Sequence, residues 1–159
     1  MTSPGKLIDA YLQGAVDLRA VTAGMTREQQ IARPIAGRWS TLEVLCHLAD
    51  FEAVMAERMK RIIALPHALL LAADENDFLK ELRYHDRDAE DELALIVATR
   101  KQMSHILRGL ALERFQRTGV HSVKGLVTLE AAVQGAINHV NHHLPFVHEK
   151  RKALGLSPV

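Results

Sequence analysis

The chain has 159 residues, of which 48% are hydrophobic and 25% are charged, a composition typical of a folded domain rather than a disordered segment. Its 20 basic and 19 acidic residues are interleaved and give a net charge of +1, so no basic face indicates nucleic-acid binding. No stretch approaches the roughly 20 apolar residues that cross a bilayer. We therefore expect residues 1–159 to form a single domain in the cytoplasm, which the lone Cys46 fits because reducing compartments disfavour disulfides.

Helical periodicity dominates the beginning of the chain. A helix that begins near Pro4 carries apolar side chains on one face, from Leu7 to Leu18. Residues 26–29, with the sequence TREQ, form a capping box that opens a short helical turn before Pro34. These features predict one long helix followed by an extended connection.

The middle of the chain predicts two more long helices. A second capping box, STLE at residues 40–43, begins a helix that we expect to end near Leu65, where Pro66 follows. Residues 67–85 show the least periodicity and predict a short helix with loops. A third long helix is expected over residues 89–110.

The last long helix is predicted from its cap, Thr128, to about Leu154, where Gly155 can end it in a left-handed conformation. Sustained alternation, which would predict strands, is almost absent. Four long amphipathic helices indicate an all-α fold, which we predict to be an up-down four-helix bundle with a long connection between its first two helices and short extra helices.

Histidines are concentrated in this last helix, which carries four of the nine in the chain at residues 138–148. His139 and His143 are four residues apart, so on a helix both imidazoles lie on one face and can reach one metal ion. His142 points elsewhere, since each residue turns the helix by about 100°. Without a third partner, such a pair is more often a polar surface feature, and both interpretations stay open on the pair alone.

A candidate third partner is His47, near the beginning of the second long helix. It lies on the flank of the apolar stripe, on the face that Phe51 and Val54 share. A single histidine in such a position is commonly only half-buried and has no ligand. The helical pattern alone therefore does not decide whether His47 binds a metal.

Two runs of sequence resemble a known family. Residues 39–50, WSTLEVLCHLAD, followed by Glu52 and Arg58, are similar to the second helix of the DinB-like superfamily of four-helix bundles. Residues 119–144, GVHSVKGLVTLEAAVQGAINHVNHHL, resemble the end of that family, with its His, Gly, Thr-Leu helix start and His-x-x-x-His. The resemblance covers nearly the whole chain, and its specific motifs are the Trp-to-His start and the final histidine pair.

The resemblance implies a metal triad, which corresponds to His47, His139 and His143. Imidazole ligands leave a divalent cation with open positions, and we expect zinc or nickel, with iron or manganese as alternatives. His121 matches another common family position, where it either faces the cavity or lies in solvent. His142 and the remaining histidines are not implied.

Two classes of function follow. The first is a metal-dependent enzyme that acts on a small molecule, either a hydrolase or a transferase that uses a low-molecular-weight thiol. The resemblance favours thiol transfer, because characterised relatives include bacillithiol-dependent and mycothiol-dependent enzymes. The second class is a non-catalytic, stress-related metal-binding or interaction bundle that keeps the histidines for stability or sensing.

The acidic neighbours of His47 allow two interpretations, a functional role and a structural one. Glu43, Asp50 and Glu52 could support the metal ligands or act as a general base, but they also suit helix capping and surface ion pairs. Cys46 is adjacent to His47 and diverges from it on a helix, so we expect a buried, inert thiol.

We also expect a homodimer. The second long helix has a wide apolar stripe that could leave surface for a partner, formed by Leu42, Leu45, Met55, Met59 and Ile62. The family resemblance points to the same assembly.

Overall fold

The computed structural model describes residues 3–157. Its elements in chain order are α1 (Pro4–Thr22), α2 (Arg27–Ile31), α3 (Thr41–Ala64), β1 (Ala68–Leu70), α4 (Glu75–Glu81), α5 (Ala89–Arg108), β2 (Thr118–His121), β3 (Gly125–Thr128) and α6 (Leu129–Ala153), with 3₁₀ turns at Tyr84–Asp86 and Leu112–Gln116. None of the helices within this range is both long and apolar enough to cross a membrane.

Side-chain caps fix where the long helices begin. Ser40 accepts from the amide of Glu43 at 3.1 Å, and the Glu43 carboxylate accepts from the amide of Ser40 at 2.7 Å, which completes the predicted capping box of α3. Asp88 caps α5 and Thr128 caps α6, each with one side-chain oxygen that accepts from backbone amides of the first turn. Gly155 has φ of +72° after the end of α6, the conformation expected of a glycine stop. The four predicted long helices are therefore confirmed, with ends within about two residues.

The four long helices pack as a bundle in which α1 and α3 each contact both α5 and α6. Asp9, early in α1, pairs with Arg108 at the end of α5, so these two helices are antiparallel. Arg151, near the end of α6, donates to the carbonyl of Val21 at the end of α1 at 3.1 Å, so these two are parallel. The chain thus enters and leaves the bundle in the same direction.

Polar contacts also fix the directions of the two remaining helices. Asp50, in the first half of α3, binds Arg87 just before α5, and Lys60, late in α3, donates to the side-chain oxygen of Gln102, late in α5. Helices α3 and α5 therefore run parallel to each other and opposite to α1 and α6. The predicted four-helix bundle with a long first connection is confirmed, and its direction reverses after α1 and after α5 rather than at every helix.

A small sheet that the sequence did not predict lies at one end of the bundle. Strand β1 pairs in parallel with β2, which pairs antiparallel with β3. Each strand has only three or four residues, too few for an alternating pattern to show. Gly119 in β2 packs closely on α3, because an added Cβ there would lie 3.1 Å from Ile62.

The core consists of two apolar halves. One half holds side chains such as Met59, Met103 and Val133, and the other holds side chains such as Leu45 and Ile96. The apolar stripe that suggested a dimer is mostly part of this core. Four of its members are fully buried in the chain itself, and one is partly buried: Leu42, Leu45, Met59, Ile62 and Met55. That stripe therefore leaves little surface for a partner.

Candidate metal centre

The antiparallel packing of α3 and α6 brings His47, His139 and His143 together. The three imidazoles offer ring nitrogens that all lie within 4.8 Å of one another. The Nε2 atoms of His47 and His139 are 2.8 Å apart, and the ring centroids of the three pairs are 4.7–5.0 Å apart. The spacing of four residues in α6 supplies two rings on one face, and α3 supplies the third at the same level.

All three imidazoles are held in the neutral form. Burial lowers the pKa of His47 to about 4, against a small opposing effect of Asp50. Burial, and then the proximity of His47 and His143, lowers the pKa of His139 to about 3. Burial and the neighbouring His47 likewise lower the pKa of His143 to about 4. Because a metal binds the unprotonated imidazole, no proton has to be displaced from these rings at neutral pH.

Hydrogen bonding leaves ring nitrogens of this cluster unsatisfied. Within residues 3–157, the buried Nδ1 atoms of His47 and His143 have no hydrogen-bond partner. Buried polar atoms usually have one, and leaving one unpaired costs about 1–3 kcal/mol. Imidazole nitrogens are common ligands of zinc, and here three of them lie within 4.8 Å of one another. The donor set therefore fits a divalent cation.

Aromatic side chains surround His47. The Trp39 ring meets the imidazole edge-on with centroids 5.3 Å apart, and the Phe51 ring lies at 4.7 Å. Phe78 in α4 packs on Phe51 at 5.3 Å. These rings limit the access of water to the cluster on the α3 side, which explains why burial dominates the pKa shift of His47.

The short helix α4 also brings a carboxylate to the cluster. Glu75 Oε2 lies 3.8 Å from His47 Nε2, and the Glu75 side chain is half exposed. The sequence does not predict a role for this residue, because it lies in the least periodic segment. Glu75 and Phe78 are three residues apart and therefore lie on one face of α4. This spacing is the local sequence signal that both side chains approach one site.

A cavity of about 430 Å³ adjoins the histidines. His143 and Glu75 reach it from the cluster, and Trp39 and Phe146 form apolar parts of its wall. His142 also borders it but is exposed to solvent, as expected from its position on α6. The volume is within the range of small-molecule sites.

Glu43 and Asp50 are each bound by an arginine. Glu43 completes its capping box and accepts from Arg33, with Arg33 Nε at 3.0 Å. Asp50 accepts two bonds from Arg87, at 2.8 Å and 3.0 Å. These contacts support a structural role for both carboxylates, in helix capping and in ion pairing.

Glu52 belongs to a separate buried network. It accepts from Arg100 Nη2 at 2.7 Å and from the Tyr11 hydroxyl, and Arg100 also donates to the carbonyls of Tyr11 at 2.7 Å and of Ala136 at 3.0 Å. Arg100 is completely buried and Glu52 nearly so. Gly14 makes room for this arginine, because an added Cβ there would overlap Arg100 Nη1. The sequence did not reveal the pairing, since its members lie 41 and 48 residues apart.

Two further candidate residues lie outside the cluster. Cys46 is buried, its thiol contacts the Tyr84 carbonyl at 3.6 Å, and burial raises its pKa to about 12, in keeping with an inert thiol. His121 ends β2, where its Nδ1 accepts from the amide of Val123 at 3.2 Å. It borders a different cavity, next to Arg58, and does not reach the three histidines.

Fold and site together define a four-helix bundle with a cluster of three histidines, two of them buried and His139 partly buried. The sequence profile of the DinB superfamily matches residues 10–147. The chain therefore belongs to the DinB superfamily. The resemblance of the two sequence runs to this family is confirmed.

Particular relatives agree with this assignment. A protein of Oceanobacillus iheyensis named as a candidate metal-dependent hydrolase is 26% identical over 130 residues, which are 82% of this chain and 75% of the relative. YfiT of Bacillus subtilis, named in the same way, is 26% identical over 122 residues, 76% of this chain and 68% of YfiT.

Solved structures extend the comparison. The structure of YfiT, described as a four-helix bundle of unusual topology, superposes with a TM-score of 0.88 at 25% identity and covers 99% of this chain and 91% of YfiT. The mycothiol-dependent maleylpyruvate isomerase superposes with a TM-score of 0.71 at 8% identity, and covers 89% of this chain and 59% of the isomerase. The second likeness is one of fold.

Proposed function

We propose that this protein is a metal-dependent hydrolase of a small molecule, in which His47, His139 and His143 hold one divalent cation. The observation that carries the proposal is the convergence of three neutral imidazoles, with ring nitrogens within 4.8 Å of one another, beside a cavity. The names of the Oceanobacillus and Bacillus relatives support hydrolysis.

Zinc or nickel is the cation we expect, with iron or manganese as alternatives, since three imidazoles suit all of these ions to different degrees. When bound, such an ion polarises a carbonyl oxygen and lowers the pKa of a coordinated water. The aromatic rings around His47 exclude bulk water and keep the imidazoles neutral.

Glu75 is the residue that we assign to proton transfer. Its carboxylate lies 3.8 Å from His47 Nε2, borders the cavity, and is exposed enough to exchange protons with solvent. Oxygen Oε2 can take a proton from an attacking water and return it to the leaving group. Glu43, Asp50 and Glu52 are engaged by arginines and are not assigned this role.

Transfer of a low-molecular-weight thiol is the second candidate function. Its support is the likeness of fold to the mycothiol-dependent isomerase and the cavity of about 430 Å³ beside the histidines. A metal site of three histidines can also bind a thiolate in place of water. A non-catalytic bundle that keeps the histidines for stability is the remaining alternative.

Activity assays on zinc-loaded and nickel-loaded protein distinguish these candidates. We expect cleavage of activated esters and amides without added thiol. Thiol transfer would instead require cysteine or another small thiol together with an alkylating electrophile. His139→Ala should abolish the reaction, whereas His148→Ala, an exposed histidine on the same helix, should not. If the metal-loaded protein neither cleaves the esters and amides nor transfers the thiol to the electrophile, the result would support the non-catalytic alternative.

The expected cytoplasmic homodimer also remains a proposal. Its structural support is now the outer face of the small sheet, where Leu69, Leu71 and Leu126 are 63%, 74% and 73% exposed. A cluster of apolar side chains on a sheet is a common site of self-association. Light scattering of the wild type and of Leu126→Lys should return a dimer and a monomer, respectively, and a wild-type monomer at tens of micromolar would contradict the proposal.

A further inference from the structure

A buried lysine borders the cavity next to the histidines. Lys150 in α6 is only 2% exposed, and its ammonium donates to the carbonyl of Phe146 at 3.0 Å. Among residues 3–157 it forms no ion pair, although buried ammonium groups normally have a charged partner. Burial lowers its pKa, and Arg38 lowers it further, while Glu149 and Glu43 act in the opposite direction. Two of its three donor hydrogens are left for a ligand.

The position of Lys150 directs its ammonium towards the histidines. It follows His143 by seven residues, which is close to two full turns, so both side chains lie on the same face about 10 Å apart along the helix. The bond to the Phe146 carbonyl folds the lysine chain back by about one turn in the direction of His143. The charge and the imidazole therefore face the same cavity.

A second cation borders the cavity from the segment that precedes α3. Arg38 is exposed, its guanidinium lies 5.6 Å from the Phe146 ring centroid, and it forms no ion pair within the described range. Two carboxylates also border the cavity. Glu75 lies beside His47, and Glu149 is exposed to solvent. Neither of them bonds to Arg38 or Lys150, so both cations remain available to a ligand.

We propose that Arg38 and Lys150 bind an anionic group, a carboxylate or a phosphate, of the small molecule that occupies this cavity. The apolar body of that molecule packs on Trp39 and Phe146, and its reactive part faces the three histidines. Only this last orientation rests on the proposed function, since the anion site is defined by the two cations and the cavity wall. Charge-assisted hydrogen bonds from a buried ammonium and a guanidinium are among the stronger polar contacts that a small site can offer.

Trp39, the single tryptophan of the chain, reports directly on the cavity. Its fluorescence can be titrated with benzoate and with benzamide, a pair of similar shape that differs in charge, and with phenyl phosphate. The protein is kept free of metal with a chelator, so that no probe binds through an ion. We expect saturable binding of benzoate or phenyl phosphate, the tighter of the two identifying the anionic group, and at least about ten-fold weaker binding of benzamide.

Matched variants locate the binding. Lys150→Met removes the charge and keeps the chain length, and it should weaken anion binding by about 10- to 100-fold. Arg38→Gln should weaken it by a smaller factor, because Arg38 is exposed. Lys152→Met, an exposed lysine on the same helix, should leave it unchanged, and circular dichroism verifies that each variant is folded.

The controls separate this proposal from the metal-dependent function. His139→Ala should still bind benzoate or phenyl phosphate, so a failure of the metal proposal leaves the anion site testable. Equal binding of benzamide and benzoate, or undiminished anion binding by folded Lys150→Met, would overturn the assignment of the anion site.

Discussion

Two polar clusters share helices α3 and α6 and differ in how many of their buried polar atoms have a hydrogen-bond partner. In the arginine cluster, Arg100 and Glu52 pair in the centre of the bundle, and both also bind Tyr11 or backbone carbonyls. In the histidine cluster, neutral rings crowd together and two buried Nδ1 atoms have no partner within residues 3–157. The two clusters are one to two turns apart along α3.

This difference is the basis for assigning a structural role to the arginine cluster and for proposing a metal-binding role for the histidine cluster. In the buried Arg100–Glu52 pair every side-chain nitrogen and oxygen has a hydrogen-bond partner, and the pair ties α1, α3, α5 and α6 together at one level. In the histidine cluster, by contrast, the buried Nδ1 atoms of His47 and His143 have no partner within residues 3–157, and His143 borders a cavity. The satisfied cluster also fixes the neighbouring one, because Arg100 holds the Ala136 carbonyl one turn before His139.

The largest effect is expected from breaking the arginine cluster. Arg100→Met leaves the Glu52 carboxylate buried without its cation, which should lower the free energy of unfolding by about 3–5 kcal/mol. For a chain of this size, that corresponds to a fall in melting temperature of about 10 °C. The double variant Arg100→Met, Glu52→Gln removes both charges and keeps an acceptor for Tyr11, so it should recover much of the loss. A single variant as stable as the wild type would show that the pair is not needed.

The histidine cluster should make the metal-free protein sensitive to acid. The pKa values of His47, His139 and His143 are lowered to about 3–4 in the fold, whereas an unfolded histidine titrates near 6.5. Protons therefore bind the unfolded chain more strongly, so stability is full above about pH 6.5 and is lost as the pH falls towards 4. Between about pH 7.5 and pH 5.5 we expect a loss of about 1 kcal/mol for each of the three histidines.

Urea denaturation in the presence of a chelator measures this loss. His143→Asn should show a flatter dependence on pH, since it removes one of the three groups. A wild-type stability that stays constant over this pH interval would contradict the assignment of buried, neutral imidazoles.

Two glycines test how closely the arginine cluster is packed. Gly14→Ala places a methyl group against Arg100 Nη1 and 3.3 Å from Val140, and should lower the free energy of unfolding by about 1–3 kcal/mol. Gly135→Ala, in α6 with open space around its Cα, should be neutral or stabilising by up to about 1 kcal/mol, because alanine favours a helix. Chemical denaturation of the two variants measures both changes in the free energy of unfolding. Equal changes would mean that Gly14 has no packing role.

Local signals in the sequence account for what could be predicted. The capping boxes at residues 26–29 and 40–43 and the spacing of His139 and His143 depend on neighbours three or four residues away, so the sequence displays them directly. Recognition of the family motif then singled out His47 among the remaining histidines. The partnership of Glu52 with Arg100 was not visible, because it depends on how distant helices pack.

Short and irregular elements account for most of what was missed. Strands β1, β2 and β3 have too few residues for a pattern, and β2 packs closely on α3 at Gly119. Glu75 reaches His47 because α4 folds over the site, which no periodicity in residues 67–85 indicates. The apolar stripe of α3 predicts a dimer surface from the sequence, whereas in the structure it is mostly buried in the bundle itself.

The most direct test is a calorimetric titration of Zn²⁺ into the wild type and His47→Ala. His47 is the only one of the three imidazoles contributed by α3, so its removal tests whether the two helices share one ion. We expect one ion per wild-type chain. Removing a residue that only hydrogen-bonds to a metal ligand lowers metal affinity by roughly 10- to 100-fold. Because His47 is itself a proposed ligand, the Zn²⁺ affinity of His47→Ala should fall by more than that. His142→Ala, which alters an exposed neighbour, should bind as the wild type does, whereas tight, stoichiometric binding by folded His47→Ala would contradict the three-histidine site.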